Sequence, residues 1–166
     1  MAEITKVFKE PVPAMRFIGK KYENFGHWGD WFANGWFDQL ESAMGGVSAI
    51  LDIWENGGAY VGLECRKDEE LLEYWIGMFT PAGTKVPDGF AYMDFDASDL
   101  GTCWIYGPEG EVHDTSRCRQ ALEAHGMDLK RFENGAVYSF ENCLCPRFTT
   151  PDEKGSIILD YCYFVS

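Results

Sequence analysis

The sequence predicts an α+β fold built from two similar modules, each running strand, helix, strand, strand. Three observations predict it. Short runs rich in β-branched and aromatic residues alternate with clusters of Gly, Pro, Asn and Asp, the pattern of strands joined by turns. Two segments, one from Asp30 and one from Thr115, space their apolar residues as a helix does. Finally, segments of the first half recur in order in the second. Pro13-Ala14 matches Asp96-Ala97, Ile53-Trp54-Glu55-Asn56 matches Ser139-Phe140-Glu141-Asn142, and Leu71 to Gly77 matches Ile158 to Phe164. A constant order with slightly drifting offsets is what loop insertions leave in a duplicated module. This match makes Glu55 the mate of Glu141.

The elements follow in order. Ile4 to Phe8 alternates apolar and polar residues as a half-buried strand, broken by Pro11 and Pro13 and resumed from Met15 to Tyr22. Asp30 is placed to cap a helix whose apolar face carries Trp31, Trp36, Phe37, Leu40 and Met44, ended by Gly45-Gly46. Ile50 to Trp54 and Ala59 to Cys65 read as a hairpin around Asn56-Gly57-Gly58, and Leu72 to Phe79 as a further strand. Thr80 to Gly89, with two prolines and two glycines, is the link between a module of about residues 1–80 and one of about 88–166. Phe90 to Phe95 and Gly101 to Tyr106 are strands, Thr115 caps a helix to about His125 with Gly126 as its stop, and Ser156 to Val165 closes the chain.

A length of 166 residues suits one domain, and 46% hydrophobic and 16% aromatic residues suit a folded core with rings to spare for a pocket. The net charge of −13 argues against nucleic acid and against an anionic membrane surface. It suits a cationic ligand, or solubility alone. No run approaches the length of a membrane-spanning helix, and Met1-Ala2-Glu3 opens directly into a strand rather than a signal peptide. Six cysteines without a CxxC pair read as reduced thiols in a cytoplasm. His27, His113 and His125 share no ligand spacing with one another or with the cysteines, so no metal is expected. No P-loop, GxGxxG or GxSxG motif is present, and no cofactor is implied.

The stretch from Val137 to Phe148 holds one carboxylate, Glu141, in an apolar strand setting between Gly135 and the Thr149–Asp152 turn. A carboxylate with little water near it is paired, neutralised, or left for a polar or cationic ligand. The internal alternative is a salt bridge to Arg147 or a lysine.

Several segments resemble the GyrI-like domains of the SOUL superfamily, also known as AraC-type effector-binding domains. Val86-Pro87-Asp88-Gly89-Phe90 is similar to that family's linker, Pro13 to Gly19 to its opening segment, Tyr74-Trp75-Ile76-Gly77 and Phe140-Glu141-Asn142 to two of its strands. The resemblance implies two modules forming a curved antiparallel sheet with two helices and a central groove. It also implies one of that family's roles: ligand-binding domain of bacterial multidrug-responsive regulators, gyrase modulator, or small hydrolase. It places the groove glutamate at Glu141, while the family's tyrosine after it is Cys143 here. No helix-turn-helix segment accompanies it, so the chain reads as a stand-alone domain.

On this reading a planar, apolar or cationic small molecule would meet Glu141, Trp75, Trp104, Tyr106 and Tyr161, with Trp28 and Trp31 as an aromatic lid. Strand alternation lets only one of each adjacent pair of rings face the groove, and the tryptophans serve equally well as helix-to-sheet packing. A hydrolase would use Glu141 as general base, with Tyr163 positioning its substrate. A third reading is a basic protein partner held by the acidic surface.

Overall fold

A computed structural model describes residues 2–166, and among them the chain forms eight strands and four helices. In order they are β1 (Glu3–Val12), β2 (Met15–Tyr22), α1 (Trp28–Ala33), α2 (Trp36–Ala43), α3 (Ser48–Leu51), β3 (Tyr60–Lys67), β4 (Glu70–Pro81), β5 (Ala91–Phe95), β6 (Ser98–Pro108), α4 (Cys118–Ala124), β7 (Val137–Cys143) and β8 (Ser156–Val165). All strands join one curved antiparallel sheet in the order β1-β6-β8-β7-β3-β4-β2-β5. Exchanging β1–β4 with β5–β8 reverses that order and reproduces it. The pseudo-two-fold axis therefore falls between β3 and β7.

Register identifies the true mates. Glu64 lies opposite Tyr74 across β3 and β4, and Glu141 lies opposite Tyr161 across β7 and β8. Across the axis Glu64 meets Ser139 and Gly62 meets Glu141. Glu64, not Glu55, is the mate of Glu141. Glu55 sits exposed in the turn before β3.

The first module's helical region also differs from expectation. The single helix from Asp30 is broken at Gly35, whose φ of 65° no helix accommodates, and α1 starts after His27 with Asp30 inside it. Ile50 to Trp54 is α3 and a turn rather than a strand. Ile50 and Trp54, both buried, share a face at a spacing of four under either period, so the pattern could not choose. In the second module Arg117, not Thr115, stands at the start of α4, with Cys118 and Leu122 inward as the spacing predicts and Gly126 left-handed behind it. β7 ends at Cys143, before Pro146, which has no N–H for a ladder.

On one sheet face, α1 and α2 pack over one flank and α4 over the other. Phe37 of α2 stacks on Tyr60 at 3.8 Å, and Trp28 of α1 donates to the Tyr74 hydroxyl. Far across the sheet, α4 lies on β6, with Cys118, Leu122, Cys103 and Ile105 buried together. The other face is filled by phenylalanines, where Phe79 meets Phe17, Phe95, Phe140 and Phe164 edge-on or tilted. Gly19 and Gly77 face each other in β2 and β4. A Cβ at either would come within 2.1 Å of the opposite backbone oxygen, so the strands can approach only as glycines. With helices over both flanks and none over the centre, the strip along β3 and β7 is left as the floor of a groove.

Candidate functional site

The groove floor follows from alternation and register together. Glu64 and Gly62 of β3, Ser139 and Glu141 of β7, and Tyr161 of β8 all point to the helix-bearing face. Gly62 lies opposite Glu141, and a Cβ there would meet the Tyr74 hydroxyl at 2.7 Å and the Trp28 ring at 3.3 Å. The missing side chain makes room for the Trp28–Tyr74 hydrogen bond of 2.8 Å.

Three adjoining cavities share lining residues along this strip. One of about 400 Å³ is walled by Trp28, Phe32, Tyr60, Cys143 and Phe148 and holds Glu141 and His113. A second, of about 470 Å³, holds the same Glu141 and His113 with Phe25, Tyr74, Glu64 and Tyr161. The third, of about 610 Å³, continues past Glu64 and Ser139 to Tyr163, Arg66, Arg119 and Arg131. One end is thus aromatic and the other polar, where arginines and hydroxyls mix with the carboxylates of Glu64, Asp68, Glu69 and Asp114.

Glu141 and His113 form the pair at the centre. His113 Nδ1 lies 2.7 Å from Glu141 Oε2, and among the described residues no lysine or arginine forms an ion pair with Glu141. The hydrogen bond to Glu141 holds the imidazole above its ordinary range, with the charges of Glu141 and Glu109 adding and burial opposing. Glu64 is held differently. It accepts the Tyr161 hydroxyl at 2.6 Å and Arg66 at 2.7 Å, while Tyr161 and Ser139 share a bond of 2.8 Å. Burial raises the Tyr161 phenol well above its usual range, with the Glu64 charge adding. Burial likewise pushes Tyr163 up to about 12. Both phenols therefore stay protonated as donors. The Cys143 thiol is also raised by burial and by the Glu141 charge, which removes the thiolate a nucleophile needs.

Of the residues singled out in the sequence, Glu141, Tyr161 and Trp28 come together on this floor. Trp75 does not: it lies opposite Leu63 on the other face, packs edge-on against Phe17 and donates to Glu73. Alternation had allowed one of Tyr74 and Trp75, and it is Tyr74 that faces the groove. Trp104 also turns away, opposite Asp160 and beneath the guanidinium of Arg147 at 4.7 Å. Tyr106, two residues on, shares that face and bonds Asp152. Trp31 is fully buried and so is no lid: it packs against Trp36, Phe37 and Phe90 and donates to the Tyr22 hydroxyl. Tyr163 faces the groove but lies opposite Ser139, one step beyond Tyr161 from Glu141. Arg147, the internal partner considered for Glu141, instead grips Asp160 with two bonds of 2.7 and 2.6 Å on the opposite face.

Sequence reading missed His113 and Glu64. His113 sits on the loop between β6 and α4, far from Glu141 in sequence, and no spacing announces it. Glu64 carried a signal, since it stands in the strand that mirrors β7, but the Glu55 match concealed it. Among the described residues no three His, Cys, Asp or Glu side chains converge as a metal site, and no helix is long and apolar enough to cross a membrane.

No model of a known protein family matches the sequence, and no curated protein does. Solved structures do resemble the fold. The EcmrR C-terminal domain is similar at a TM-score of 0.59 with 11% identity, covering 97% of each chain. SAV2435 bound to tetraphenylphosphonium is similar at 0.56 with 12% identity, over 98% of this chain and 94% of that one. A hydrolase from Listeria innocua is similar at 0.52 with 13% identity, over 97% and 92%. The likeness defines the fold: an α+β sheet of GyrI-like architecture.

Proposed function

We propose that this chain is a single small-molecule-binding domain over residues 1–166, with modules of about 1–80 and 88–166, acting in the cytoplasm. Its groove takes a planar, apolar or cationic compound with Glu141 as the charged anchor. The observation that carries this reading is a carboxylate facing an aromatic cavity of about 400 Å³, with a half-exposed histidine as its one side-chain partner among the described residues. Trp28, Phe32, Tyr60 and Phe148 offer ring faces, each adding roughly 0.5–2 kcal/mol for a desolvated cation. A low-dielectric wall strengthens the pairing with Glu141. That SAV2435 binds tetraphenylphosphonium in the same fold agrees with this ligand class. With a net charge of −13 the chain has no use for nucleic acid or an anionic membrane as partner.

The test is tryptophan quenching by a panel of cationic and neutral planar dyes with wild type and Glu141→Gln side by side. Micromolar binding of cations, weakened selectively by the substitution, is the expected outcome. Equal cation binding by the variant would remove the anchor role.

The Glu141–His113 contact favours one second reading, a small hydrolase in which Glu141 takes a proton from water, as the likeness to a hydrolase also suggests. In that reading Tyr161, directly opposite Glu141, is nearer the reacting centre than Tyr163. Turnover of ester or amide probes that is lost in Glu141→Gln would establish it.

A further inference from the structure

Resting on the groove reading above, we propose that His113 decides the charge of the ligand that Glu141 accepts. The protonated imidazole neutralises the anchor and so disfavours cations relative to neutral apolar ligands. The unprotonated imidazole leaves the anchor's charge to a cation.

The geometry supports this in three ways. His113 Nδ1 already occupies Glu141 Oε2 at 2.7 Å, so a cation that binds this carboxylate has to compete with it. His113 stands on the loop before α4 with its side chain 48% exposed and meets the Phe148 ring edge-on, at 6.0 Å. It can therefore leave Glu141 without disturbing a strand. Finally, Glu64 cannot supply the missing charge, because the permanently charged Arg66 holds it at 2.7 Å. The net charge at the groove centre then turns on one imidazole.

The other titratable groups around His113 are accounted for. On its own loop lie Glu109, Glu111, Asp114 and Arg117, with Asp114 occupied by Ser116 and Arg117 donating to the Ala2 carbonyl, and from the turn after β3 come Asp68 and Glu69. From β3 come Glu64 and Arg66, from β4 Tyr74, from β8 Tyr161 and Tyr163, and from β7 and the turn after it Cys143 and Cys145. Arg119 of α4 is paired with Glu123, and Arg131 lines the far end. The tyrosines and Cys143 have raised pKa values, so across the pH range in which an imidazole titrates they keep their protons.

The experiment measures dissociation constants of tetraphenylphosphonium and of neutral triphenylphosphine oxide from about pH 5.5 to about pH 8.5, a span bracketing an imidazole of ordinary pKa near 6.5 and one raised above it. Wild type and His113→Gln are compared. Binding coupled to loss of one proton weakens the phosphonium by up to about tenfold per pH unit below the His113 pKa, and leaves the neutral oxide flat. His113→Gln is expected to bind the phosphonium with that slope abolished. By reciprocity, saturating phosphonium lowers the His113 pKa read by the imidazole proton shift in NMR.

If phosphonium binds wild type with no pH slope, or the slope survives in His113→Gln, the gate is overturned while the groove reading stands. An unchanged His113 pKa at saturation overturns it as well. If neither probe binds at any pH, both readings fall together.

Discussion

Glu64 and Glu141 occupy equivalent positions in the two halves, each opposite a tyrosine and each facing the same groove, yet their surroundings differ. Glu64 is closed in by the Tyr161 hydroxyl and by Arg66. Glu141 has a titratable and half-exposed partner, and it alone of the two lines the aromatic cavity. The difference lies in what the neighbouring elements contribute rather than in the strands. An arginine two residues along β3 cannot lose its charge, whereas a histidine brought by a loop can. On the proposed reading, one mate is thereby committed to structure and the other left for a ligand.

The largest expected effect tests the structural side. Glu64→Gln removes a buried acceptor from Tyr161 and the counter-charge of Arg66, and is expected to lower unfolding free energy by about 1–3 kcal/mol in urea titrations. Glu141→Gln, at a more open site, is expected to change stability by less than about 0.5 kcal/mol. Equal losses would erase the distinction between the mates.

On the binding side the order reverses. Glu141→Gln is expected to weaken planar cations about tenfold, or about 1.4 kcal/mol, with neutral analogues little changed. A matching selective loss in Glu64→Gln would show that both carboxylates anchor the ligand.

A smaller effect concerns stability against pH. Because His113 titrates above its unfolded value, its pairing with Glu141 contributes fully below the unfolded pKa near 6.5 and is lost as pH rises through the folded pKa. At this exposure the contribution is expected to stay below about 1 kcal/mol. The difference in melting temperature between wild type and His113→Gln should therefore shrink from about pH 6 to about pH 8. A difference that grows with pH would contradict the pairing.

The smallest effect is none at all. Tyr106→Phe and Trp75→Phe alter side chains on the face away from the groove, so cation affinity should stay within about twofold even where Trp75→Phe lowers stability. A large affinity loss in either would mean that the ligand lies on the other face.

Much of this was legible in the chain. Alternation and turn residues placed most strands, Cys118 and Leu122 marked the inward face of the second helix, and the repeat announced a two-fold architecture. Glu141 stood out as a lone carboxylate in an apolar strand. Alternation also showed that Tyr74 and Trp75 must point opposite ways, yet it held nothing about which way led to the groove. Ile50 and Trp54 show a related limit, because a spacing of four satisfies strand and helix alike.

The sequence by itself determined the α+β class, the doubled order of elements and the residue types available to a groove, since these depend on local periodicity and turn chemistry. Only the tertiary structure decided that Glu64 is the mate of Glu141, that Trp75 and Trp104 turn away, and that His113 meets Glu141. Those facts follow from the register of β3 on β7 and from the path of the loop before α4. Both are set by packing between residues far apart in the chain, where no local pattern reaches.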